Sequence, residues 1–97
     1  LSGPQKHFVT QVAKQLQQQS FELLNQLQKF RQFNKPLMVG ISRKGMIWKT
    51  INGTPETALN GTTALHMAAL DRGATILRVH DVKEAKECVD LYLALKA

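Results

Sequence analysis

Two short apolar runs, Leu37-Met38-Val39-Gly40-Ile41 and Ala74 to Val79, stand on either side of a helical pattern. Runs this apolar read as strands buried on both faces, the mark of a parallel sheet. Parallel strands need a long crossover between them, and the intervening helical segment supplies one. Two such strands cannot cover each other on both faces and both edges. The pattern therefore demands neighbours, from another chain or from residues beyond these 97.

The rest of the chain falls around these runs. Gly3-Pro4 signals a helix start, since proline is tolerated at the first helical position. Val9, Ala13, Leu16, Ser20, Leu23, Leu27 and Phe30 then recur in steps of four and three, which places them on one helical face. The spacing predicts either one long helix or two joined near Gln17-Gln18-Gln19. Asn34-Lys35-Pro36 ends it, because proline disfavours α geometry in the residue before it. Met46 to Ile51 predicts a short helix. Thr54-Pro55 predicts the start of another, running through Ala58, Leu59, Thr62, Leu65, His66, Ala69 and Leu70 to Gly73 as its C′ residue. Val82 to Lys96 predicts the last helix, with Val82, Ala85, Val89, Leu91 or Tyr92, and Leu95 on its apolar face. Helices alternating with strands imply βαβ units.

Composition excludes several classes. With 43% hydrophobic and 21% charged residues the chain is neither a disordered tail nor a fibrous repeat. No apolar run approaches the roughly 20 residues of a bilayer crossing. No charged segment followed by an apolar one opens the sequence, so no secretory signal is expected. One cysteine, Cys88, forms no internal disulfide and adds little to a zinc site. A cytoplasmic, metal-poor chain is expected. Its net charge of +6 is lopsided: eight of the 13 Lys/Arg lie before residue 54, with one of the seven acids. That imbalance points to an anionic partner or to a solvated basic face.

In parallel α/β architectures ligands bind beyond the carboxyl ends of the strands. Here those ends are Ser42-Arg43-Lys44 and Arg78-Val79-His80-Asp81. Arg78 and His80, two apart on a strand, point to the same side. A guanidinium beside an imidazole makes an oxyanion or phosphate clamp, with Lys44 as a third donor. Each has a plainer reading: Arg78 as an interior ion pair, Asp81 as N-cap of the helix from Val82, Lys44 as a solvated loop residue. His66, within an Ala/Leu-rich face, and Cys88 read as packing, Met38 and Met46 as core fillers, and His7 carries no signal.

Leu-Met-Val-Gly-Ile-Ser-Arg-Lys at 37–44 followed by Ile-Leu-Arg-Val-His-Asp at 76–81 resembles the C-terminal part of dihydropteroate synthase. Leu-Asn-Gly-Thr-Thr-Ala between them and Phe21-Glu-Leu-Leu-Asn-Gln-Leu fit the same family, and the resemblance covers about residues 21–97. It implies the C-terminal portion of a (β/α)8 TIM barrel, two parallel strands alternating with helices and incomplete alone. It also implies a transferase that condenses 6-hydroxymethyl-7,8-dihydropterin diphosphate with 4-aminobenzoate. Carried over by motif, Lys44 contacts the pterin and the aminobenzoate region. Arg78 and His80 hold the diphosphate, while Ser42, Arg43 and Gly45 shape the aminobenzoate side, where sulfonamides bind. Mg2+ is the implied cofactor, its ligand outside this segment. The implied partners are the two substrates and the remainder of the barrel or another chain, with a homodimer among them and neither nucleic acid nor membrane.

Two departures stand out. Gly45 occupies the place of a family serine, and the Asp-Pro-Gly-Phe-Gly-Phe strand that precedes Phe21 in the family is absent. Residues 4–19 resemble the helix before that strand, so a segment is expected to be missing near 17–20, with a chain break or abrupt turn there. The alternative is a basic helical module that binds nucleic acid or a partner helix and has no catalytic activity. Against it, the aromatic residues are not interleaved with Lys/Arg as a base-stacking platform requires.

Overall fold

A computed structural model describes residues 2–97, with the backbone alone for Val9 and Ala13. Helix α1 (Gly3–Asn25) opens on a capping box in which Ser2 and Gln5 satisfy each other's backbone N–H groups. The expected break or turn between Gln17 and Ser20 is not found: α1 runs through those residues without interruption. Gln, Leu, Lys and Glu are good helix formers, so the glutamine stretch propagates the helix rather than ending it. A 3-10 segment, Leu27–Phe33, follows, and Asn34 stops it in the left-handed conformation at φ 51°.

Strand β1 (Met38–Val39) and strand β2 (Ile76–Leu77) are adjacent and parallel, pairing Met38 with Ile76 and Val39 with Leu77. The ladder extends past both, with Arg78 N–H donating to the Val39 carbonyl and Ile76 N–H to that of Leu37. Between the strands lie α2 (Gly45–Thr50) and α3 (Leu59–Asp71), and α4 (Val82–Lys96) closes the chain. Thr54 does not open α3. Thr54–Thr57 close their own capped 3-10 turn, and α3 begins at Leu59. Its far end follows the expectation. Gly73, at φ 108°, gives the chain the left-handed residue that lets Ala74 N–H reach Ala69 O and Gly73 N–H reach Leu70 O.

The core lies on one face of the sheet. Val39, Ile41, Met46, Ile47, Ala58, Ala69 and Ala74 pack there with Leu24 and Leu27 from the first helical region. Each large side chain fully buried in this way contributes about 1.5–3 kcal/mol. The opposite face is open: Met38 is 63% exposed and Ile76 43%. The strands are thus covered on one face, not two, and Met38 is no core filler, because the side chains that face the interior of a closed barrel need strands beyond these. The buried stripe of the first helical region follows expectation at Leu27 and departs from it elsewhere among the described residues. Leu24 and Leu27 enter the core with Phe21 beside them, while Leu16 and Leu23 stay exposed. On α4 the buried residues are Ala85 and Cys88, and Val82, Leu91 and Leu95 face outward. Small residues on that stripe let α4 lie close against α3.

Gly61 brings α3 close to α2. A Cβ added there would sit 2.6 Å from Ile47 Cγ2, a branched and buried group that cannot swing aside. Gly61→Ala is expected to lower stability by about 1–3 kcal/mol despite alanine's better helix propensity. Urea unfolding checks this: the midpoint falls with little change in slope.

Candidate functional site

The site begins with a tight turn. Lys44 N–H donates to the Ile41 carbonyl at 3.0 Å, closing a four-residue turn whose third residue, Arg43, stands at φ 54°. Gly or Asn normally occupies such a position, and a residue with a long side chain is held there against about 1–3 kcal/mol of strain. The surroundings overdetermine it. Arg43 N–H donates to Thr62 Oγ1 on α3 at 2.9 Å, and Thr62 is 2% exposed. The Arg43 guanidinium donates through Nε to Asp81 Oδ2 at 2.8 Å and through Nη2 to Asp81 Oδ1 at 3.0 Å. Its Nη1 donates to the carbonyls of Pro55 and Glu56 at 2.9 and 3.1 Å.

Arg43 is therefore a strut and not a lining residue. Its donors are committed to Asp81 and to the carbonyls of Pro55 and Glu56, so it supports the loop that carries Lys44. Asp81 also differs from expectation. It stands at the N-cap position of α4, but its carboxylate makes no capping bond and is engaged by Arg43. That hydrogen bond holds the Asp81 carboxyl below the usual carboxylate range, against partial desolvation; the charges of Arg43, His80 and His66 act in the same direction.

Ser42 is buried, and its Oγ accepts the backbone N–H of His80 at 3.2 Å. The hydroxyl thus ties the end of β1 to the end of β2. With these ends aligned, Met38, Gly40, Ser42, Lys44, Arg78, Val79 and His80 line one cleft of about 430 Å³. Alternation accounts for Met38 with Gly40 and for Arg78 with His80; Lys44 joins them through the turn. The stem of Arg78 lies over Gly40, with Cβ and Cδ 3.7 and 3.8 Å from where a Gly40 Cβ would sit. Among the described residues none hydrogen-bonds the side chains of Lys44, Arg78 or His80, in contrast to Arg43. Gly45 opens α2 beside this cleft, with the Lys49 side chain at ordinary contact distance.

His66 sits apart. It is 2% exposed on α3, one turn beyond Thr62, and its Nε2 has no partner among the described residues. Burial pushes its imidazole below the ordinary value, and the charge of Asp81 opposes this only in part. Packing is its role, as for Cys88, whose thiol burial pushes up. The supports that sequence reasoning missed are Thr62 and the Arg43–Asp81 pair. The available signal was weak: Thr62 and His66 are polar residues on the stripe of α3 that otherwise carries alanine and leucine.

Acid stability should show both groups. The folded chain holds the His66 imidazole below 6.5 and the Asp81 carboxyl below 3.8, so in each pair of states the unfolded chain takes up the proton first. Stability is then complete above those values and declines as pH drops through them. Melting temperatures by circular dichroism should fall in two stages, the first removed by His66→Leu and the second by Asp81→Asn.

A family model described as pterin binding enzyme matches residues 8–80. The dihydropteroate synthase of Escherichia coli strain K12 is 46% identical over 70 residues, which make up 72% of this chain and 25% of that protein. A dihydropteroate synthase from Coxiella burnetii, solved in complex with pteroic acid, superposes with a TM-score of 0.78 at 36% identity, covering 84% of this chain and 30% of its own. The Yersinia pestis dihydropteroate synthase, solved as a sulfonamide drug complex, gives a TM-score of 0.75 at 38% identity, over 78% and 28%. The chain thus spans about a quarter of the length of its E. coli relative. The stretch before Phe21, where the resemblance implied a further strand, is the second half of α1 here. With a match across most of its length, parallel strands flanked by helices and both strand-end motifs on one cleft, the chain belongs to the pterin binding enzyme family and forms a portion of a (β/α)8 barrel.

Proposed function

We propose that this chain supplies the diphosphate corner of a dihydropteroate synthase, the transferase that joins a dihydropterin diphosphate to 4-aminobenzoate. The observation that carries the reading is the cleft at the strand ends, which gathers Lys44, Arg78 and His80 while Arg43 is neutralised by Asp81 behind it. Breaking the carbon–oxygen bond to diphosphate builds negative charge on the leaving oxygens. Fixed cations aimed at that position stabilise the charge as it develops, and no nucleophilic side chain is needed. Arg78 offers a planar fork to two oxygens, Lys44 a mobile point charge, and His80 an imidazole N–H. Lys44, at the mouth of the turn, also serves the pterin and the aminobenzoate side in this reading, with Gly45 next to it at the start of α2. Ser42 acts through its hold on the His80 backbone.

The remainder of the barrel, on another chain or in further residues, is the partner this reading requires. The open face with Met38 and Ile76 and the unpaired outer edges of β1 and β2 support it. Among the described residues no group of three or more His, Cys, Asp or Glu could hold a metal ion. The cleft side chains are cationic or neutral, so they do not fit magnesium, and no step here passes through it. Among the described residues no helix is long and apolar enough to cross a membrane.

Calorimetric titration of the chain with inorganic diphosphate tests the reading. Arg78→Ala and Lys44→Ala should each weaken binding roughly 10- to 100-fold, the range for hydrogen bonds to charged groups, with the fold intact by circular dichroism. His66→Leu should leave affinity unchanged. Equal affinity in all four proteins would sink the assignment.

A further inference from the structure

We propose that Thr62 is a positioning residue for Lys44, acting through the left-handed backbone of Arg43. The inference rests on the reading of the cleft as a diphosphate site. Arg43 immediately precedes Lys44, and its φ of 54° decides the direction in which the chain leaves the turn. An ordinary negative φ at Arg43 would redirect the backbone of Lys44 and open the turn that Lys44 N–H closes on Ile41 O. The Arg43 side chain is fastened to Asp81, Pro55 and Glu56, which ties the two strand ends together but does not set the φ of its own backbone. The one bond on the Arg43 backbone amide is the one to Thr62 Oγ1, at 2.9 Å.

The helix is built to deliver that hydroxyl. Gly61, the preceding residue, is where α3 approaches Ile47 of α2 so closely that a Cβ would clash at 2.6 Å. Thr62 is 2% exposed and its bond to the Arg43 amide is partly buried, so losing the acceptor leaves that N–H poorly satisfied. The Gly61-Thr62 pair thus fixes the distance between α3 and the turn and also satisfies the turn's strained amide. Thr62 touches no substrate in this arrangement. It sets where Lys44 stands relative to Arg78 and His80.

The test uses the 97-residue chain, isotope-labelled, as wild type, Thr62→Val and Thr62→Ser, with inorganic diphosphate as the probe. In Thr62→Val, which keeps the shape and loses the acceptor, the carbon shifts of Arg43 should lose their left-handed signature. Lys44 resonances should stop responding to diphosphate while those of Arg78 and His80 still respond, and affinity should fall roughly tenfold. Thr62→Ser should restore all three. A Thr62→Val chain that keeps the Arg43 signature and the Lys44 response overturns the proposal. If the wild-type chain does not respond to diphosphate, the functional reading fails and the Arg43 shifts alone decide the positioning role. If Thr62→Val does not fold, hydrogen exchange at the wild-type Arg43 amide decides it: protection supports the bond to Thr62, and fast exchange refutes it.

Discussion

The two-pronged contact between Arg43 and Asp81 holds the ends of the two strands at a fixed separation, and the rest of the cleft depends on it. The assigned strands are two residues long, so their own ladder aligns them only weakly beyond Val39 and Leu77. Past that point side chains take over. The guanidinium reaches from the end of the first run to the end of the second, and the Ser42 hydroxyl makes a second crossing to His80. The two side chains of the ion pair keep 26% and 22% of their surface exposed, so water screens it and its energetic worth is modest. Its importance is geometric. A planar fork on a carboxylate fixes both distance and orientation, which a lysine in the same place would not do.

The pair also sorts the charges. Arg43 and Arg78 belong to the two strand ends, and an anion entering the cleft would meet both if both were free. Asp81 neutralises the first, leaving Arg78 with Lys44 and His80 on the open side of the sheet. A basic sequence is thereby divided into a buttress and an open cationic face. Thr62 belongs to the buttress, and so does the 3-10 turn whose carbonyls receive the remaining Arg43 donor.

Much of this was legible in the residues themselves. The apolar runs, the helix between them and Gly73 at the C′ position of α3 declared a parallel βαβ unit, and the period-two spacing of Arg78 and His80 put them on one side. Packing that depends on distant partners was not legible. The four-three stripe through Leu16 and Leu23 looks like a core face, and Leu27 on it is buried, yet Phe21 and Leu24 take the other places against the core. The family resemblance placed a seam near residues 17–20, whereas the glutamine-rich stretch propagates the helix straight through it. Asp81 before a helix suggests a cap, and only the fold reveals a guanidinium 38 residues away in sequence that outcompetes the helix amides. Arg43 in a left-handed position has no sequence signature at all, because its strain is met by a hydroxyl on another element.

The brevity of β1 and β2 has a colloidal consequence. A long, flat strand with free N–H and C=O groups along its margin templates pairing with any other chain, and proteins with exposed margins risk forming fibres. Here each margin offers only a few backbone groups before the chain turns into Ser42-Arg43-Lys44 or toward Asp81 and α4. The charges that flank each strand repel another copy approaching edge to edge. Lys44 and Arg78 at the strand ends therefore also act as gatekeepers, discouraging self-association along the exposed margins of the sheet.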